Sequence, residues 1–78
     1  MDWNSRIVTD REVCGGRPRI KGTRIAVEFL LGLKATGWSE QQILENYPHL
    51  TAEDLQAVYA YAQALIEDET FIPAVPAA

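Results

Sequence analysis

Ser39-Glu40-Gln41-Gln42-Ile43-Leu44-Glu45-Asn46-Tyr47-Pro48-His49-Leu50-Thr51-Ala52-Glu53-Asp54-Leu55 contains two helix starts and one enforced stop. Ser39 with Gln42 three residues on forms a capping box, in which each residue satisfies an amide the new helix leaves bare. Pro48 ends that helix, since the residue before a proline avoids helical angles. Thr51 with Asp54 repeats the capping pattern, and Glu53 and Asp54 suit the positive end of the new helix dipole. Beyond it Leu55, Val58, Tyr59, Ala62, Leu65 and Ile66 recur at helical spacing, which predicts a core stripe. Ala57, Ala60, Tyr61 and Ala64 form a second face of mostly small residues. That face suits either a second subunit or plain helix propensity.

Working back, residues 26–36 predict a further helix that ends at Gly37. Val27, Leu30 and Leu31 share a stripe that Phe29 and Leu33 widen to most of the surface, so the helix is buried or shared between subunits. Gly32 inside it costs about 1 kcal/mol relative to Ala, for which close approach of another helix is the expected reason. Residues 1–25 lack a helical period. Ile7-Val8-Thr9 and Arg19-Ile20-Lys21 read as two short strands or extended arms, joined through Asp10 and the freely turning Gly15-Gly16. The fold class is therefore mainly α, three helices after two short strands. Residues 1–70 form one domain, with an extended basic arm over 1–25 and a helical core over 26–70. Residues 71–78 form a Pro/Ala-rich tail whose Phe71, Ile72 and Val75 are candidate partner-binding residues.

Charge divides the chain. Residues 1–34 carry all seven Lys and Arg against four acids, a net of +3, and residues 35–78 carry seven acids and no Lys or Arg. Arg17, Arg19, Lys21 and Arg24 alternate with smaller or apolar residues, so an extended backbone would put them on one face. Three readings follow: contact with DNA phosphates, contact with an acidic protein surface, or internal pairing with Asp10, Glu12 or Glu28. Glu53 and Asp54 at the start of the third helix would repel a phosphate backbone, which places any DNA contact on the N-terminal arm.

Other chemistry finds little footing. Cys14 is the single cysteine, which rules out an intrachain disulfide, and no cluster suits a structural metal or a cofactor. His49, the one histidine, lies in a turn away from any sequence partner for Cys14, so no catalytic residue is assigned and no enzyme is expected. The N-terminus lacks a secretory pattern, and apolar runs are far short of a membrane span. A soluble cytoplasmic protein is the expectation. A domain this small without staples often gains stability by pairing, so a homodimer is expected, with Leu30, Gly32, Ala57, Ala60, Tyr61 and Ala64 at its interface.

The run Gly15-Gly16-Arg17-Pro18-Arg19-Ile20-Lys21-Gly22-Thr23-Arg24-Ile25, the apolar helix ending in Thr36-Gly37, and the segment from Ser39 to Leu55 together resemble the DUF433 family. That family consists of small prokaryotic proteins, many of them predicted antitoxins of toxin-antitoxin pairs. The resemblance covers roughly Ile7 to Ala64. It implies a helix-turn-helix, homeodomain-like core preceded by short strands. For many members it also implies a partner with a PIN-like ribonuclease fold. The functional expectation is an antitoxin-type protein that binds such a toxin and its own operator DNA through the basic arm. The alternative is a homo-oligomeric interaction module with no nucleic-acid role.

Overall fold

The computed structural model describes residues 1–70, so Phe71, Ile72 and Val75 lie outside the described residues. A 3-10 turn over Trp3–Ser5 leads into β1 (Ile7–Val8), which pairs antiparallel with β2 (Arg19–Ile20) in the register Ile7 to Ile20 and Val8 to Arg19. Three helices follow: α1 (Val27–Ala35), α2 (Glu40–Asn46) and α3 (Ala52–Leu65), the last continuing as a π-helical turn over Ile66–Thr70. The architecture is mainly α with a short N-terminal hairpin, as the sequence predicts.

Each helix boundary has a local cause. The Ser39/Gln42 and Thr51/Asp54 boxes both close reciprocally, with side chain bonding backbone in each direction. α1 has no side-chain cap; the Val27 N–H instead donates to the Pro18 carbonyl at 2.9 Å, so the strand region caps the helix. Its other end is a Schellman turn. Trp38 N donates to Leu33 O at 3.0 Å and Gly37 N to Lys34 O at 3.1 Å, with Gly37 at φ 100°.

One apolar core joins all elements. Leu30, Ile43, Leu55 and Val58 are its largest fully buried side chains, each worth about 1.5–3 kcal/mol of burial. Ile7 and Ile20 belong to the same cluster. The first 25 residues are thus part of the core and not an arm set apart from it. Trp3 packs edge-on against Tyr61 of α3, ring centroids 4.8 Å apart.

The structure corrects several expectations about packing. Leu30 and Ala57 are 1% and 0% exposed, so they fill the protomer's own core and cannot present a face to a second subunit. Tyr61 is half-buried and turned to Trp3 of the same chain. Gly32 lies exposed on α1, and a Cβ added there would meet nothing within 4 Å, so no helix of the described chain approaches it. Of that predicted interface, Ala60 and Ala64 line a surface groove with Trp3, Tyr59 and Gln63. The predicted core stripe of α3 also ends early: Ile66 is 59% exposed. No helix among the described residues is long and apolar enough to cross a membrane.

Candidate functional site

The four cations of the glycine-punctuated segment do not share a face. Arg17 forms an ion pair with Glu28 of α1, with both side chains largely exposed. Arg19 is half-buried and folds back, its Nη1 donating to the Thr23 carbonyl at 3.0 Å. Internal pairing with an acid, one of the three readings of this segment, holds for Arg17; Arg19 is held instead by a backbone carbonyl. The reason is backbone geometry: the extended stretch is only Arg19–Ile20, and a turn follows at once. Alternation along a longer strand never develops.

Lys21 and Arg24 remain exposed, at either end of that turn. They line one cleft with Gly22, Thr23, Ile25 and His49, and no carboxylate lines it. His49 comes from the connection between α2 and α3. Sequence reasoning finds no partner for it, because 25 residues separate it from Arg24 and only the tertiary fold brings them together. No local signal announces this meeting.

The turn is held rigidly. Ile20 O accepts from Thr23 N (3.0 Å) and Thr23 Oγ1 (2.8 Å), and Thr23 Oγ1 in turn accepts from Ile25 N (3.0 Å). Ile20 N donates to Ile25 O at 3.0 Å. The Cys14 thiol donates to Arg24 O at 3.1 Å, which gives the lone cysteine a supporting role beneath the loop. Cys14 itself has φ 53°, and Gly15 and Gly16 follow at 63° and 82°, a left-handed turn of three residues.

The start of α3 also differs from expectation. Asp54 is 8% exposed and fully committed. Its Oδ2 accepts from Thr51 N and its Oδ1 from Arg6 Nη1, both at 3.0 Å. A carboxylate paired in this way repels an approaching phosphate far less than a free one, since the guanidinium supplies an opposite charge at contact distance. Arg6, absent from the sequence-predicted site residues, is the cation that offsets the acidic helix start. Glu53 stays exposed. Lys21 also flanks the Arg6–Asp54 pair, sharing a second shallow cleft with Ser5, Arg6 and Asp54. The basic edge thus runs from Arg6 through Lys21 to Arg24 and His49, alongside the connection from α2 to α3.

A small α domain with an N-terminal hairpin, whose second and third helices are joined by a short capped turn, is the class these features define. The chain belongs to the DUF433 family, described as a protein family of unknown function, whose pattern matches residues 7–62. It is similar to the uncharacterized protein y4eO of Sinorhizobium fredii (strain NBRC 101917 / NGR234), 33% identical over 58 residues, which are 74% of this chain and 26% of that protein. It is also similar to the crystal structure of a DUF433 member protein from Anabaena variabilis ATCC 29413. There the TM-score is 0.75 and the identity 41%, over 81% of this chain and 62% of the other. The chain therefore spans about a quarter of the first relative and under two thirds of the second.

Proposed function

We propose that this chain is an antitoxin-type binding protein, not an enzyme. In this reading it acts in the cytoplasm, pairs with a PIN-like toxin and holds its own operator DNA through the basic edge. The observation that carries the DNA part is the convergence of Lys21, Arg24 and His49 on one carboxylate-free cleft beside the α2–α3 connection. The toxin part is supported by the family resemblance and by the surface groove that Trp3, Tyr59, Ala60 and Ala64 line on α3. A homodimer would present two basic edges and double the number of phosphates reached.

The exposure of Phe29 and Ile66 favours a second reading, a homo-oligomeric interaction module without a nucleic-acid role. Fluorescence anisotropy on the gene's own upstream DNA across a salt series separates the two. The antitoxin reading expects binding that weakens steeply with salt, by about 0.9 in log–log slope for each phosphate held. Co-expression with a neighbouring PIN-like protein should give a stable complex and relieve its toxicity. Absence of both DNA binding and toxin capture, with self-association in sedimentation, would establish the module reading instead.

A further inference from the structure

We propose that the cleft lined by the loop from Lys21 to Ile25 and by His49 is a binding site for a single phosphate group. The inference deepens the operator contact proposed above and rests on that reading only for the polymer that carries the phosphate.

Three observations converge on an anion. Lys21 and Arg24 of the loop and His49 of the α2–α3 connection line one cleft, with no carboxylate among its lining. The loop also has backbone donors to spare. The N–H groups of Gly22 and Arg24 donate to nothing among the described residues. Two loop amides are thus available to an anion, as they are in backbone loops that hold phosphates. Finally, the bonds within the turn fix the loop before any ligand arrives, so binding does not have to order it.

The donor set favours phosphate over carboxylate. A planar carboxylate presents two oxygens to a coplanar fork, which a lone arginine satisfies. Here a lysine, an arginine and a histidine line one cleft whose loop has two amides to spare, more donors than one carboxylate can use and suited to the several oxygens of a tetrahedral phosphate.

The test is an amide and imidazole NMR titration of the full chain, first with inorganic phosphate and then with a short duplex of arbitrary sequence. Wild type is compared with Lys21→Gln/Arg24→Gln and with His49→Gln. These side chains are exposed and make none of the loop's internal bonds, so unchanged thermal transitions are expected. Phosphate should shift the Gly22 to Ile25 amides and the His49 ring. The double variant should lose that response, and its duplex affinity should lose about two units of salt slope per subunit. If phosphate binds at the loop and the duplex does not, the site stands and the operator reading falls. If the duplex binds but its shifts lie elsewhere, or the double variant binds it as well as wild type, the site is overturned and the operator reading survives. No response to either probe overturns both.

Discussion

The hairpin half of this protein and its helical half are specified by different forces. Residues 27–65 are built from capping boxes, a Schellman turn and a periodic apolar stripe, interactions written within a few residues of one another. Residues 1–26 have two strands of two residues each, and their shape comes from side chains bonding backbone: Arg19 to Thr23, Thr23 to Ile20 and Cys14 to Arg24. The difference decides what charge is left for a partner. A segment that folds by spending polar groups internally keeps fewer for the outside: Arg19 bonds the Thr23 carbonyl, and Arg6 and Arg17 are paired with Asp54 and Glu28. Lys21 and Arg24, with Arg11 on the preceding turn, are the exposed cations outside these contacts.

The sharpest break in the helical half should come from Leu30→Asp. A carboxylate placed unpaired in the core costs several kcal/mol, most of the stability of a domain this size, and the cooperative thermal transition should vanish. A Leu30→Asp variant that stays folded would mean that α1 can expose this side. Next comes the joint between the halves. Asp54→Ala removes a helix cap and the partner of Arg6 together, and should cost about 2–3 kcal/mol in urea unfolding. Arg6→Ala keeps the cap and should cost roughly half as much. Equal losses would show that the cap contributes little.

Glycine-to-alanine substitutions should then separate the halves by sign. Gly15→Ala forces a side chain into a left-handed position and should destabilise by about 1 kcal/mol. Gly32→Ala fills open space in a regular helix and should stabilise by about as much. If Gly32→Ala instead destabilises and the effect depends on protein concentration, another helix does approach α1 across a dimer.

The smallest expected effect lies at Tyr59. Burial raises the phenol's pKa above 10.0, and the Glu40 carboxylate that accepts its hydrogen bond at 3.4 Å adds to the rise. The neutral phenol is therefore favoured in the folded chain. Its contribution is fully present below 10.0 and is lost as pH climbs through the raised value. In melting curves, the stability difference between wild type and Tyr59→Phe should hold constant from neutrality to about pH 10.0, with wild type falling faster in strong alkali. Parallel curves throughout would show that the bond contributes nothing.

These effects also mark what is legible in the amino-acid order. The starts of α2 and α3 are readable because Ser39 with Gln42, and Thr51 with Asp54, act within three residues. The first strand is readable from the β-branched run Ile7-Val8-Thr9 and the second from the alternation of Arg19-Ile20-Lys21. Ile66 is misplaced by its spacing, because periodicity tells which side a residue faces and not whether another element extends far enough to cover it. Arg6 escapes notice because 48 residues separate it from Asp54. The grouping of Lys21 and Arg24 with His49 is hidden for the same reason. Basic character is visible in the order of residues; which cations stay available depends on where the backbone turns.

The pairing of Arg6 with Asp54 and of Trp3 with Tyr61 has a consequence for where the folding unit begins. The family pattern starts at residue 7, yet both partners on the N-terminal side lie before it. A fragment trimmed to residues 7–62 would retain both strands and most of the helical core while stranding a near-buried carboxylate under the first turn of α3. Its helix start would then carry an uncompensated negative charge, and Asp54→Asn should cost such a fragment less than it costs the longer chain. Sequence similarity and tertiary contact here have different boundaries, and the six residues before the family match hold the counter-charge for Asp54.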